Sequence, residues 1–192
     1  HTALEGSGMS ERKIIDWALP YVKQFNTYID IGAHDGDTSV PFIDMFERII
    51  CFEPNPNSFK ILSSNPKLEC YNVALGNEDG TASLAMLSDN PKHGSMHEDR
   101  TVNFSGERFE VEIKQLDSFK FFENVDFIKI DVEQFEYFVI LGALKTIKKN
   151  KPTIFFENKR NEADTVILLL LNLGYTVRKW KSDTIAFWEG DK

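Results

Sequence analysis

The sequence is short of the features that would place it in a membrane, on nucleic acid or outside the cell. Its longest apolar run, VILLLLNLGY, is too short to span a bilayer. Only two cysteines occur, Cys51 and Cys70, which indicates reduced core residues in a cytoplasmic protein rather than a disulfide. Basic residues are outnumbered 22 to 30, and the net charge of −8 repels phosphate backbones, which disfavours a nucleic-acid substrate.

The chain also lacks internal repeats, and its apolar content is only marginal for two domains. It has 192 residues, 42% of them hydrophobic, which is ample for one core and marginal for two. A single domain over residues 9–192 is therefore expected. Residues 1–8, HTALEGSG, look like the remnant of an expression tag and are excluded from the predicted fold.

Apolar strands alternate with helical segments along most of the chain. The predicted strands are TYIDI, RIICFE, LECYNVAL, DFIKIDV and PTIFFE, and a helix is expected from Thr38 through TSVPFIDMFE. This alternation predicts an α/β fold whose parallel sheet is covered by helices on both faces. YTVRKW and TIAFWE predict a terminal hairpin. Residues 81–115 interrupt this alternation of strands and helices. They contain a long polar loop before a strictly alternating strand, which predicts a β-arm or lid.

The phosphate-binding signatures of nucleotide enzymes are missing as well. DIGAHDG, after the first strand, has G-x-x-x-G spacing instead of G-x-G-x-x-G, and no Gly-Lys-Ser or Gly-Lys-Thr occurs. Gly32 and Gly36 still allow a ligand close to the backbone. Glu53 ends the second strand 21 residues after Gly32, where a carboxylate can accept hydrogen bonds from ribose hydroxyls. The combination favours S-adenosyl-L-methionine, with a plain strand–helix turn as the alternative.

A metal site is the weaker interpretation of the same region. Asp35 and Asp37 lack the ligand ladder of a calcium loop, and His34 is expected to line the pocket. His93 and His97 have the spacing of a helical metal pair, but HGSMH contains a glycine and no helical periodicity. A lid contact with the acceptor is the favoured role for these histidines, and no metal is predicted.

Taken together, the motifs of the chain resemble those of the FkbM-type methyltransferases. YIDIGAHDGDTS, CFEPNP, NVALGNEDG, KQLDSF, DFIKIDVEQFEYFVILGA and PTIFFE occur in the order and spacing of that family, across about residues 28–157. The resemblance implies a class I, Rossmann-like fold with a seven-stranded, mostly parallel sheet and an antiparallel strand from the terminal hairpin. It also implies S-adenosyl-L-methionine as cofactor and methylation of hydroxyl oxygens on small molecules or sugars. One departure is Gln134, which stands where the family has glycine after DVE.

The resemblance also implies roles for individual residues. Those expected around the methionine part of the cofactor are Asp30, Gly32, Ala33, His34, Gly36 and Thr38. Glu53 would hold the ribose, and the residues expected to flank the adenine are Pro54, Asn55, Ala74 and Leu75. Asp131, at the end of the fourth strand, would face the methyl-transfer centre.

An alcohol acceptor must lose a proton, so a nearby carboxylate is sought as base. The candidates at strand ends are Asp131, Glu133, Glu136 and Glu157, of which Asp131 and Glu133 are favoured. These two would share a face if the strand continues through both, whereas Glu136 suits the first turn of a helix.

Three functions are compatible with these features. The first is an S-adenosylmethionine-dependent O-methyltransferase acting on a small metabolite or sugar. The second is a non-catalytic module that binds an adenosine ligand and contacts a protein partner through residues 90–108. The third is a nucleotide-dependent oxidoreductase. The acceptor and the oligomeric state are not predicted.

Overall fold

A computed structural model of the chain describes residues 15–86, 94–95, 107–119, 123–133, 135–157, 162–180 and 183–190. The strands are β1 (Thr27–Ile31), β2 (Arg48–Phe52), β3 (Glu69–Tyr71), β4 (Ala74–Leu75), β5 (Gly80–Met86), β6 (Gly94–Ser95), β7 (Arg108–Lys114), β8 (Val125–Ile130), β9 (Thr153–Glu157), β10 (Thr176–Trp180) and β11 (Asp183–Phe187). The helices are α1 (Pro56–Leu62), α2 (Glu136–Leu141), α3 (Leu144–Asn150) and α4 (Glu162–Asn172), and residues 15–18 are helical before a 3-10 turn at Leu19–Tyr21.

Seven strands form the main sheet in the order β10-β11-β9-β8-β1-β2-β3. The strands from β9 to β3 run parallel, and β11 is antiparallel to both β9 and β10. This is the predicted Rossmann-like arrangement, including the terminal hairpin. The chain runs outward from β1 through β2 to β3 and then returns to the other side of β1 with β8, so the strand order reverses at the end of β1. Ligands of open α/β sheets bind at such a reversal.

Each face of the sheet carries its own apolar core, because alternate side chains of a strand point to opposite faces. On β1, Ile29 and Ile31 belong to the core beneath α2, α3 and α4, whereas Tyr28 belongs to the core that includes Leu62 of α1. Burying side chains of this size stabilises the fold by about 1.5–3 kcal/mol each. Asp30 lies between these apolar residues with no exposed surface, so its carboxylate must be satisfied inside the protein.

A second sheet has the strand order β4-β7-β5-β6. β5 and β7 pair in antiparallel fashion over most of their length, as expected for the β-arm, and a small core of Ala74, Leu84 and Val111 underlies them. The polar residues that would complete a lid, 87–93 and 96–106, lie outside the described part of the chain. The lid therefore stays a prediction.

Two local predictions are wrong. The helix expected from Thr38 is a series of turns around a 3-10 segment at Val40–Phe42, because the hydroxyls of Thr38 and Ser39 are bound to buried Asp30 and Pro41 lacks an N–H. LECYNVAL is two short strands, β3 in the main sheet and β4 in the second. Among the described residues, no helix is long and apolar enough to cross a bilayer.

Candidate functional site

The loop after β1 is shaped by a close backbone contact with β8. Gly32 has φ +77°, and a Cβ added to it would lie 2.0 Å from the carbonyl oxygen of Asp131. The N–H of Asp131 donates to the carbonyl of Ile31, which continues the pairing of β8 and β1 past the last strand residues. Glycine is thus required at position 32 both for its conformation and for its lack of a side chain.

The rest of this loop is equally constrained. Ala33 is buried and donates its N–H to the carbonyl of Phe52 at the end of β2. His34 adopts a left-handed backbone, with φ +52°, and its Nδ1 lies 3.0 Å from Oδ1 of Asp35. Gly36, with φ +96°, packs its backbone against Leu62 of α1. A left-handed non-glycine residue in a ligand loop is a common sign of a functional constraint.

Glu53 joins the two loops that flank the end of β2. Its Oε2 accepts the backbone N–H of His34 and its Oε1 accepts that of Asn55, both at 2.8 Å. The side chain is 6% exposed. Burial raises the pKa of Glu53 above its ordinary value, and the hydrogen bonds from Asn55 and His34 partly oppose this shift. The carboxylate ends up where the sequence placed it, beside the glycine loop.

Asp30 is fully buried beneath the loop. Its Oδ2 accepts the hydroxyls of Thr38 at 2.7 Å and Ser39 at 2.5 Å. Its Oδ1 lies 3.1 Å from Nζ of Lys129, an ion-pair distance without hydrogen-bond alignment. Asp30 therefore organises the start of the 38–42 segment from beneath.

Lys129 is a site residue that sequence reasoning missed. It is 4% exposed, and its Nζ donates to the carbonyl of Gly32 at 3.0 Å and lies 3.8 Å from Oδ2 of Asp131. The available signal was a single cation inside the apolar strand segment FIKI. A buried lysine requires a partner, and the partner became visible only once β8 was paired with β1, which sets Lys129 beside Asp30.

The carboxylates proposed as bases are close in sequence but not on one strand face. β8 ends at Ile130, and Glu133 is left-handed with φ +49°, so the condition for Asp131 and Glu133 to share a strand face is not met. The side chain of Asp131 is 41% exposed. Glu136 lies in the first turn of α2, as expected, and Glu157 ends β9 opposite Asp183 of β11.

The four residues expected to flank the adenine lie in two places, the loop before α1 and strand β4. Asn55 is buried, and its Oδ1 caps α1 by accepting the N–H of Asn57 at 2.9 Å. The carbonyl of Pro54 accepts a hydrogen bond from the side chain of Asn72. Leu75 packs in the main core and Ala74 in the small core of the second sheet, and both residues are buried.

Three predicted features lie outside the described residues. They are Gln134, the pair His93 and His97, and most of the loop 90–108. Their roles stay predictions.

The geometry fits a ligand with a ribose and without phosphate. Each oxygen of Glu53 already accepts one N–H but retains a second lone pair for a ribose hydroxyl. Residues 30–39 contain three aspartates and no lysine or arginine; Lys129 pairs with Asp30, but Asp35 and Asp37 leave the loop acidic, which suits a cationic sulfonium better than a phosphate. The donor set therefore fits S-adenosylmethionine better than a dinucleotide.

Comparison with known proteins agrees with this geometry. Residues 30–177 match the Methyltransferase FkbM domain family. Methyltransferase FkbM from Methylobacillus flagellatus KT superimposes with a TM-score of 0.59 at 16% identity, over 85% of this chain and 43% of that one. The chain thus spans less than half the length of that relative. No curated protein matches the sequence.

Two further solved structures share the fold. Precorrin-6y C5,15-methyltransferase from Geobacter metallireducens GS-15 gives a TM-score of 0.57 at 13% identity, covering 99% of this chain and 94% of that one. Magnesium protoporphyrin IX methyltransferase from Synechocystis PCC 6803, solved with bound SAM, gives 0.51 at 7% identity, covering 95% and 79%. These likenesses establish a Rossmann-like methyltransferase fold. With the domain match across most of its length, the chain belongs to the FkbM methyltransferase family.

Proposed function

We propose that this protein is an S-adenosylmethionine-dependent methyltransferase that methylates a hydroxyl oxygen on a small metabolite or sugar. The observation that carries the proposal is the position of Glu53. Its buried carboxylate ends β2 and bridges the glycine loop and the loop before α1, next to the point where strand order reverses. A carboxylate at this place can accept both hydroxyls of a ribose.

The other residues of the site are assigned to the methionine part, the adenine and the acceptor according to their positions. The loop 32–39 seats the methionine part of the cofactor, and Pro54, Asn55, Ala74 and Leu75 flank the adenine. Asp131 contacts Gly32 through its backbone carbonyl, and its half-exposed side chain faces the acceptor. When bound, S-adenosylmethionine supplies an electrophilic methyl group.

Asp131 and Glu133 are the proposed groups for orienting the acceptor and taking its proton. Alignment of reacting atoms in a fixed site can lower a barrier by up to about 7–11 kcal/mol, and a positioned base adds roughly 10²–10⁴-fold. Both residues lie in the turn after β8, and backbone contacts of Asp131 with Ile31 and Gly32 hold the start of that turn against the glycine loop. The acidic net charge of −8 supports a small-molecule acceptor over a nucleic acid. The free thiols of Cys51 and Cys70 fit the cytoplasmic location expected from the sequence.

Isothermal titration calorimetry tests the cofactor assignment directly. We expect S-adenosylhomocysteine to bind and NAD to produce no heat of binding. Release of S-adenosylhomocysteine from a panel of hydroxylated metabolites and sugars then tests the acceptor class. Binding of NAD with exclusion of S-adenosylhomocysteine would refute the cofactor assignment, and cofactor binding with methylation of RNA alone would refute the acceptor class.

A further inference from the structure

Lys129 occupies a position that stability alone explains poorly. It lies between Ile128 and Ile130 in a central strand, and its side chain is 5% exposed. Burial of an ammonium group is costly, and well-packed apolar residues often replace buried ion pairs without loss of stability. The ion pair with Asp30 therefore calls for another explanation.

Its contacts converge on the two ends of the cofactor loop. At one end, Nζ donates to the carbonyl oxygen of Gly32 at 3.0 Å. At the other end the connection is indirect, since Nζ lies 3.1 Å from Asp30, which in turn accepts the hydroxyls of Thr38 and Ser39. One buried cation thus connects the first and last residues of the loop.

The same ammonium group also reaches the proposed acceptor side. Oδ2 of Asp131 lies 3.8 Å from Nζ, and the side chain of Asp131 is 41% exposed. The cation attracts this carboxylate, with solvent screening part of the attraction. Lys129 therefore influences both the loop and the carboxylate across from it.

We propose that Lys129 is a positioning residue, which holds the 32–39 loop and the carboxylate of Asp131 in the geometry that accepts the cofactor. This inference rests on the proposed function for the identity of the ligand. The residue acts through Gly32, Asp30 and Asp131 and does not itself touch the ligand.

The test compares Lys129→Met with the double variant D30N/K129M. Methionine keeps the unbranched length of lysine, and asparagine keeps the acceptor for Thr38 and Ser39 without leaving a buried charge unpaired. Lys149→Met is the matched control, because Lys149 is an exposed lysine that forms an ion pair with Glu123 at 2.7 Å. The measurements are the melting temperature, amide hydrogen exchange of residues 30–40 against residues 80–86, and the affinity for S-adenosylhomocysteine.

We expect the double variant to recover most of the melting temperature lost in Lys129→Met. Its loop amides should nevertheless exchange faster than those of the wild type, and its affinity should be lower by about tenfold or more. A double variant with wild-type loop exchange and wild-type affinity would overturn the proposal, because the ion pair would then serve folding alone.

If neither Lys129→Met nor D30N/K129M folds, Lys129→Arg provides the test. It keeps a cation between the two carboxylates, so we expect its loop exchange and affinity to stay near those of the wild type. A folded arginine variant that loses binding while its loop exchange is unchanged would contradict the positioning role. If the wild type itself binds no S-adenosylhomocysteine, the proposed function fails, and loop exchange in the neutral variants still decides the role of Lys129.

Discussion

Oε2 of Glu53 accepts the backbone N–H of His34 at 2.8 Å, so the side chain that ends β2 is attached to the loop that follows β1. Its other oxygen holds the N–H of Asn55. The carboxylate therefore fixes two loops relative to each other before any ligand is present. Because ribose hydroxyls would meet an acceptor already held in place, less order would have to be gained on binding.

Glu53→Gln is expected to weaken S-adenosylhomocysteine binding by roughly tenfold to a hundredfold. A glutamine amide offers one oxygen and one NH₂, so it cannot accept both backbone N–H groups, and it removes a charge-assisted bond of about 1.5–3 kcal/mol. Calorimetric titration measures the change. Glu123→Gln, an exposed carboxylate paired with Lys149, is the control and should bind as the wild type does. Unchanged affinity in Glu53→Gln would show that the ribose lies elsewhere.

Cofactor affinity should also fall on mild acidification. Burial raises the pKa of Glu53 above 4.5, so this carboxyl takes up its proton at a higher pH than a free glutamate, and the protonated form is a poorer acceptor for ribose hydroxyls. Titrations from neutral pH downward should show the loss in the wild type, and Glu53→Gln should lack this component.

Acidification affects folding stability through Glu53 in the opposite direction to cofactor affinity. Between pH 4.5 and the raised pKa, the native protein holds a proton that the unfolded chain has released. The contribution of Glu53 to stability is therefore greatest below 4.5 and is lost as the pH rises through the native pKa. Denaturant unfolding of the wild type and of Glu53→Gln between these two pH values measures this stability contribution separately from cofactor binding. In the binding titrations, a cofactor affinity that rises on acidification would contradict the assignment of Glu53 to the ribose.

The position of Glu53 was predictable because it depends on local features alone. An apolar strand that ends in a carboxylate, at the spacing of one βαβ unit from a glycine loop, needs no knowledge of distant contacts. The roles of Asp30 and Lys129 were not predictable in this way. They are 99 residues apart, and their contact exists only because β1 and β8 are neighbours in a register that the sequence does not state.

The segment after Thr38 shows tertiary contacts overriding local preference. TSVPFIDMFE has helical spacing of its apolar residues, but two hydroxyls at its start bind the carboxylate of Asp30 instead of supporting a regular helix. A capping hydroxyl is a recognised helix signal, and only the buried partner shows that these two have another acceptor.

Gly32→Ala is expected to destabilise the protein by about 2 kcal/mol or more. An alanine would have to adopt φ +77° at a cost of about 1–2 kcal/mol, and its Cβ would also displace the carbonyl of Asp131. Gly80→Ala is the matched control, because nothing lies within 4 Å of a Cβ at that position. Denaturant unfolding should show a change near zero for the control. Equal effects of the two substitutions would contradict the close contact between β1 and β8.

Glu133→Gly should leave the protein as stable as the wild type, or more stable by up to about 1 kcal/mol. The left-handed backbone of Glu133, with φ +49°, is unfavourable for a residue with a Cβ, and glycine removes that penalty. The greater freedom of glycine in the unfolded chain offsets part of the gain.

The control is Glu110→Gly, at an exposed position in the middle of β7, where loss of about 0.5–1 kcal/mol is expected. A loss of stability in Glu133→Gly as large as in the control would contradict this prediction.

The two cysteines should differ sharply in reactivity although they are paired across β2 and β3. A hydrogen bond with Cys70 and burial raise the pKa of the Cys51 thiol, and the same bond lowers the pKa of Cys70 from 9.0. Since the thiolate is the nucleophile, iodoacetamide should modify partly exposed Cys70 in the folded protein and Cys51 only after unfolding. Mass spectrometry of the alkylated peptides identifies the site.

Cys51→Ala removes the hydrogen bond, because alanine has no side-chain donor for the Cys70 sulfur. Without the bond that lowers the pKa of Cys70, alkylation of Cys70 near neutral pH should become slower, with its pH midpoint moving up toward 9.0. Faster alkylation of Cys70 in Cys51→Ala would mean that access, and not the thiol–thiol hydrogen bond, limits its reaction in the folded protein.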